Sequence, residues 1–433
     1  MLLRFKVSNY RSILDPIELS MIAVDSDRVP VRKFDSLKEG VLAVAGIYGP
    51  NASGKSNVVE SLEWLSNSVA VSLRAWDHSI PRRPFKFDNG SGMPSTYEVE
   101  MLIRNIRYLY RLELNDSEVL FEGLYSYPER RRRFLFEREG NDIRFRRGLG
   151  ALSGTRELLT KSTLALSAVS RFDEPEVRLF AMSLTEISSV GLRRMSLNRS
   201  SINKFGFYAT VRLLDDRDSR SSAPSLFGDP DTVHRWTPDT VLALLRFADL
   251  GVEDVRIDDD IDDESQDVGY RSRYRYENVK FIHSHRGQEV QFEIEDESAG
   301  TQTWFSIIGL VLSALRSGQI LILDELDASL HPKLSVQLLK LFNDPETNPN
   351  GAQLIFTTHD TSLLGHLNRD EIWLTEKDDR GATALTALAE YSGDKVRRSV
   401  NLERAYLQGR FGALPDLDQF ALRRVLGRDA DGF

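Results

Sequence analysis

The stretch GIYGPNASGKSNVVESLEWL, Gly46 to Leu65, limits what this chain can fold into more than any other. It fits the pattern G-x-x-x-x-G-K-[ST], with Gly49, Gly54, Lys55 and Ser56 in the fixed places. The apolar run VLAVAGIYG before it predicts a buried strand. The segment SNVVESLEWLSNSVAVSL after it predicts a helix, with Val58, Val59, Leu62 and Leu65 on one stripe. Glycines in the joining loop let backbone N–H groups turn inward around phosphate oxygens. The helix N-terminus adds partial positive charge at the same place. Asn51, Ala52, Ser53, Gly54, Lys55, Ser56 and Asn57 are therefore candidate ligands of ATP. Lys55 would reach the β- and γ-phosphates and Ser56 would ligate Mg2+. A plain glycine turn before a helix is the competing explanation, and the strand–loop–helix context favours the phosphate site.

Three later segments supply what a phosphate loop lacks. In SGQILILDELDASLHP, Ser317 to Pro332, the apolar run Ile320–Leu323 ends in Asp324 and Glu325. A buried parallel strand reads this way, with its carboxylates at the edge where ligands sit in open α/β sheets. Asp324 would hold Mg2+ and Glu325 would deprotonate the attacking water. Alone, the two acids could equally be solvated residues after a core strand. GAQLIFTTHD, Gly351 to Asp360, is another apolar strand, and its His359 would sit beside the γ-phosphate. In EDESAGTQTWFSIIGLVLSAL, Glu295 to Leu315, Ser298 and Gly300 precede a strongly apolar helix. They stand where the signature loop of an ABC-type ATPase would stand, although Ser298 also reads as an ordinary helix N-cap.

These four pieces, in this order, resemble the ABC-type ATPase heads of SMC and RecF proteins. RFKVSNYRSI at the N-terminus resembles the opening strand of such heads, which makes Arg11 and Ser12 further candidates near nucleotide. DKVRRSVNLERAYLQGRFGALPDL resembles the tail of bacterial AAA-type, ABC-like ATPases of the RloA/AbiL-like abortive-infection group. The run from Tyr406 through Gly409, Arg410, Phe411, Gly412, Ala413 and Leu414 to Pro415 is its most specific part. PFKFD and PSTYEVEMLI, Pro84 to Ile103, also fit that group. The sequence departs from transporters, having Ser-Ala-Gly-Thr at the signature position and DASLHP, with Asp327, Ser329 and His331, in place of their D-loop. The resemblance implies a dimeric clamp with Ser298 and Gly300 acting across the interface. It also implies a role in anti-phage defence, with the ATPase controlling a separate effector such as a nuclease. The alternative is a RecF/SMC-like repair ATPase that binds DNA directly. A fused nuclease domain is disfavoured, because the chain after His359 shows no metal-carboxylate strand pattern.

The expected fold is α/β: a P-loop ATPase head of the ABC type, split into N- and C-terminal lobes around a mixed sheet, with a mainly helical insertion. The expected boundaries are 1–148 for the strand-rich N-terminal lobe, 149–280 for the insertion and 281–433 for the C-terminal lobe. TRELLTKSTLALSAVSRF, EPEVRLFAMSLTEI and PDTVLALLRFADLG read as helices of the insertion. Asp215–Asp231 and the acidic run Asp258–Asp267 read as solvated loops. With no cysteine, thiolate metal sites and disulfides are excluded. No apolar run is long enough to span a bilayer, so no transmembrane helix is expected; the lack of cysteine favours a cytoplasmic location, and the departed signature argues against a membrane partner. A net charge of −9 gives no global case for nucleic-acid binding. One local cluster could supply it: ERRRRFLFEREGNDIRFRR, with Arg130 to Arg133, Arg138, Arg144, Arg146 and Arg147. On a hairpin, alternate arginines would share a face with interleaved phenylalanines. A charged, solubilising edge hairpin is the plainer alternative.

Overall fold

Alternating apolar and polar residues near the N-terminus build an antiparallel sheet of seven strands. They are β1 (Leu2–Ser8), β2 (Ile17–Ser20), β4 (Ser95–Ile103), β5 (Ile106–Leu114), β6 (Val119–Tyr127), β7 (Arg133–Glu139) and β8 (Asp142–Phe145). Their order is β2-β1-β4-β5-β6-β7-β8. Val99 lies opposite both Phe5 and Tyr110, so one face is apolar across the sheet. In this computed structural model the described residues are 1–147, 154, 158–169, 174–191, 200–215, 237–248, 251–257, 279–328, 330–391 and 401–414. The acidic run Asp258–Asp267, Ser329, Pro415 and most of Asp215–Asp231 lie outside them.

A second sheet of six strands carries the motifs. It contains β3 (Val44–Tyr48), β9 (Ser188–Val190), β13 (Ile320–Leu323), β14 (Gln353–Thr357), β15 (Ile372–Lys377) and β16 (Thr383–Ala387), in the order β16-β15-β3-β14-β13-β9. Only β15–β16 is antiparallel. Its central strands are covered on both faces, which is why ILIL and LIF are continuous apolar runs. Ile320, Ile322, Ile355 and Trp373 pack into one core with the first sheet and with α1 (Lys55–Ala75). Leu321, Leu323, Leu354 and Phe356 pack into the other, with α6 (Ala299–Ser317) and α7 (Pro332–Asn343). Truncating one such side chain to alanine costs about 2–5 kcal/mol. The stripe Val58, Val59, Leu62 and Leu65 of α1 is at most 1% exposed.

The interval expected as a helical insertion is woven into the head. It holds α2 (Ala165–Val169), α3 (Pro175–Thr185), α4 (Ser200–Leu214) and α5 (Pro238–Phe247). Yet β9 pairs in parallel with β13, next to Asp324 and Glu325. A three-stranded meander of β10 (Val252–Ile257), β11 (Val279–His285) and β12 (Gln288–Phe292) crosses the expected boundary near residue 280. α4 packs against α6 so closely that a Cβ on Gly309 would lie 2.2 Å from the Thr210 backbone nitrogen. The helix read from TRELLTKSTLALSAVSRF is confined, among its described residues, chiefly to α2. The Thr160 hydroxyl bonds that of Thr163 at 2.7 Å and accepts from the Thr163 N–H at 3.1 Å. Arg138 donates to the carbonyls of Thr160 and Thr163. These side-chain bonds compete with a helical ladder.

Candidate functional site

Because β3, β13 and β14 run parallel, the segments that follow them emerge on one edge of the sheet. β3 leads into the phosphate loop, β13 into Asp324 and Glu325, and β14 into Thr358, His359 and Asp360. The loop is a preformed cradle. Gly49 has φ 148° and Gly54 φ 108°. A Cβ on Gly49 would stand 2.4 Å from the Thr375 carbonyl oxygen, and one on Gly54 2.1 Å from Thr383 Oγ1. Only glycine fits either place.

A frame of hydroxyls holds the cradle from behind. Ser53 Oγ hydrogen-bonds Thr375 Oγ1 at 2.6 Å. Thr383 Oγ1 donates to the Ser53 carbonyl at 2.7 Å. Ser12 Oγ bonds Thr383 Oγ1 at 2.7 Å and accepts from Asn57 Nδ2 at 2.6 Å. Ser12 and Asn57 thus brace the loop, joining the first turn of the chain to α1. Arg11, at φ 48°, pairs with Glu60 of α1 at 2.9 Å.

Lys55 is buried, and its ammonium donates to the carbonyls of Gly49 at 2.8 Å and Pro50 at 3.2 Å. It lies 3.5 Å from His359 Nδ1. Burial lowers the Lys55 pKa to about 8, while Asp324, Asp327 and Glu325 pull it upward. Burial, followed by the Lys55 charge, pushes His359 below its usual range. An ammonium has only protons to offer, so Nδ1 faces it as an acceptor and the neutral ring carries its proton on Nε2. That N–H is a donor beside the phosphate loop.

The carboxylates are held by threonines. Thr357 Oγ1 donates to Asp324 Oδ1 at 2.6 Å and accepts from the Glu325 N–H at 2.8 Å. Thr358 Oγ1 donates to Asp327 Oδ1 at 2.7 Å, and the His359 N–H reaches the same oxygen at 3.1 Å. Glu325 is exposed and sits at φ 55°, a left-handed conformation that costs a non-glycine residue about 1 kcal/mol or more. Residues that the sequence reading passed over do this work: Thr357, Thr358, Thr375 and Thr383. The pair Thr357–Thr358 stood in view within LIFTTHD, and nothing in its spacing marked it.

The remaining candidates stand apart from this cluster. Ser298 caps α6, its Oγ accepting from the Thr301 N–H at 3.1 Å, and both Ser298 and Ala299 are exposed. Gly300 lies in the first turn of α6. The tail run docks on the motif edge. Its helix α8 (Leu402–Leu407) places the Tyr406 ring against Tyr48, 6.4 Å between centroids, at the end of β3. The Ala413 N–H bonds the Glu376 carboxylate, beside Thr375. Glu403 accepts from Thr361, two residues after His359, at 3.2 Å.

The arginine cluster is divided between engaged and exposed side chains. Arg138 is 1% exposed and is spent on the carbonyls of Gly140, Thr160 and Thr163. Arg133 makes a two-pronged pair with Glu176 of α3, 2.9 Å to each oxygen. Arg132 lies over the Tyr125 ring at 4.1 Å, and Arg130 donates to the carbonyls of Asp35 and Ser36. Phe136 is buried. Arg130, Arg131, Arg132, Arg144 and Arg147 are all exposed.

Comparison with known proteins matches the edge and its motifs. The family described as "AAA domain, putative AbiEii toxin, Type IV TA system" covers residues 44–365, well over half of the chain. The chain belongs to this family. Its α/β architecture, with phosphate loop, strand-end acids and strand-end histidine on one edge, is that of a P-loop ATPase head. Two solved structures are similar at 12% identity. A SMC head bound to the C-winged helix domain of ScpA has a TM-score of 0.41, covering 91% of this chain and 98% of that one. The SMC head domain from Thermotoga maritima has a TM-score of 0.36, covering 89% and 98%. No curated protein matches the chain. No helix among the described residues is long and apolar enough to cross a membrane.

Proposed function

We propose that the protein is an ATP-hydrolysing switch that closes as a dimer on ATP and reopens on hydrolysis. The observation that carries this reading is the convergence of Lys55, Asp324, Glu325 and His359 on one sheet edge, with Lys55 buried among three carboxylates and 3.5 Å from His359. Inward-turned N–H groups of the loop bind phosphate oxygens. Lys55 leaves the carbonyls of Gly49 and Pro50 to pair with them. Glu325, exposed at the mouth of the site, takes a proton from the attacking water. His359 donates from Nε2 to hold the terminal phosphoryl group.

The residues suit Mg2+. Ser56 offers a hydroxyl and Asp324 a carboxylate, and among the described residues no cluster of three or more His, Cys, Asp or Glu could hold a metal. A sparse protein donor set fits an ion that keeps water and phosphate oxygens as its other ligands. When bound, Mg2+ would supply charge neutralisation at the phosphates.

Ser298 and Gly300 act in the partner copy's site in this reading. The exposure of Ser298 and Ala299 at the start of α6 supports it. Arg11 and Ser12 serve the site as braces of α1 and the loop. The biological role is anti-phage defence of the RloA/AbiL-like kind, in the cytoplasm, with a separate effector such as a nuclease under control of the closed state. The family's description, which names a toxin of a type IV TA system, supports this direction. Arg133 and Arg138, engaged within the fold, are not available to DNA, which leaves the exposed arginines of this region for the alternative of direct DNA binding.

Light scattering with phosphate-release assays tests the switch. With Mg·ATP, wild type should gain mass and lose it as ATP is consumed. Glu325→Gln should gain mass and keep it, with hydrolysis slowed about 10²–10⁴-fold. A Glu325→Gln variant that hydrolyses at the wild-type rate would remove the base assigned here, and unchanged mass with active hydrolysis would remove the closing dimer.

A further inference from the structure

At the opposite end of the six-stranded sheet lies a cavity of about 310 Å³ that the ATP site does not use. It opens between the two lobes. The β4–β5 turn contributes Arg104 and Asn105, the N-terminal segment Arg32, the end of α6 Arg316, the end of α3 Glu186, and the loop before β14 Asn350. Three arginines and one glutamate therefore line it.

Their chemistry favours an anion. Arg32 donates through Nη1 to the Pro349 carbonyl at 3.0 Å, which leaves its charge without a carboxylate in that bond. Arg32 and Arg316 are half-buried. Glu186 already accepts from Gln319, at 3.4 Å. Two helices end here and would favour a cation, but Asn350 Nδ2 donates to the Arg316 carbonyl at 2.8 Å and so occupies one of the free acceptors of α6. The β4–β5 turn is the second observation. Arg104 and Asn105 have φ 47° and 62°, a turn that Asn-Gly makes most cheaply. An arginine in that conformation costs about 1 kcal/mol, and its position adds a third arginine to the cavity lining.

We propose that this cavity binds a phosphorylated small molecule of about mononucleotide size. The size is at the lower end of ligand pockets, roughly 300–1,000 Å³. The cavity is also placed to control the site. β13 starts at its wall and ends at Asp324. α6 starts at Ser298 and ends there. β14 begins just past Gly351 and leads to His359. These three segments each have an end at the same wall, which includes residues from both sheets. A ligand that bridges the lobes biases any motion between them. This coupling rests on the proposed hydrolytic switch, whereas the binding does not.

Binding is read on the full chain carrying Lys55→Ala, which disables the phosphate loop, by thermal unfolding with AMP at constant ionic strength. At roughly a hundred times the dissociation constant, AMP should raise the midpoint by about 3 °C. Adding Arg316→Glu or Arg32→Gln should abolish the rise. If Arg316→Glu does not fold, Arg316→Gln carries the same expectation. No rise with AMP at millimolar concentration, or a rise that survives both substitutions, overturns the site. In the wild type, AMP should change the ATPase rate at least about threefold, and Arg316→Gln should remove that response. AMP binding without a rate change would sustain the site and refute its coupling to hydrolysis.

Discussion

Lys55 carries the charge that the site needs, in surroundings that make the charge costly, and its titration tests the whole arrangement. Burial lowers its pKa from 10.5 to about 8 against the upward pull of Asp324, Asp327 and Glu325. The difference corresponds to about 3 kcal/mol between the charged and neutral amine. Without nucleotide the folded pKa lies below the unfolded one. The unfolded chain then binds more protons between about 8 and 10.5, so stability rises with pH through that window. With nucleotide the phosphates hold the ammonium, and above pH 8 binding must be accompanied by proton uptake. If Lys55 stays protonated in the complex, affinity falls about tenfold between pH 7 and pH 9. A phosphate's own last ionisation, near pH 6, adds negative charge and works against that fall. The assay is a titration with a fluorescent, non-hydrolysable ATP analogue at constant ionic strength across this range. Lys55→Arg holds its charge throughout and should give a flat profile, whatever its absolute affinity. A flat wild-type profile, or the same slope in Lys55→Arg, would refute the assignment of the titrating charge to Lys55.

Two further substitutions probe the frame around the site. Thr357→Val keeps the shape of a fully buried side chain but strips a donor from Asp324 and an acceptor from the Glu325 N–H. It should lower stability by about 1–3 kcal/mol, read by denaturant unfolding, and slow phosphate release beyond any loss of folded protein. An active, equally stable variant would show that the threonine does not position the carboxylates. Gly54→Ala forces a methyl to within 2.1 Å of Thr383 Oγ1 at φ 108°. It should abolish binding of the ATP analogue while thermal unfolding remains cooperative, and retained binding would show that the loop can re-form around a side chain.

What the sequence showed and what it hid divide along a physical line. The phosphate loop was legible because its glycines, lysine and serine are fixed by local geometry, and the flanking strand and helix have their own periodicities. Asp324 and Glu325 were legible because a strand buried on both faces must be continuously apolar, so two acids at its end mark the sheet edge. The hydroxyl frame had no such signature. Ser12 bonds Thr383, and Thr383 bonds the Ser53 carbonyl, across hundreds of residues. No periodicity links such partners. β9 was equally hidden, since Ser-Ser-Val is too short and too polar to read as a strand. It becomes one only because β13 offers it an edge.

The arginine hairpin is divided for a different reason. Alternation along a strand says which residues share a face, but not whether that face meets water or another element. Here Glu176 of α3 and the carbonyls of Thr160 and Thr163 cover it. The same Thr160–Val169 segment meets α1. The Leu164 N–H reaches Ser72 Oγ at 3.3 Å, and Ser167 Oγ accepts from the Leu73 N–H at 3.3 Å. Glu122, fully buried on β6, accepts from the N–H groups of Ala165 and Leu166 at 2.6 and 2.7 Å. Arg138, one of the charges that looked like a nucleic-acid surface, therefore helps tie the antiparallel sheet to the end of the phosphate-loop helix. Removing one partner of such a buried network costs about 3–5 kcal/mol, so α1 and the sheet move together rather than apart.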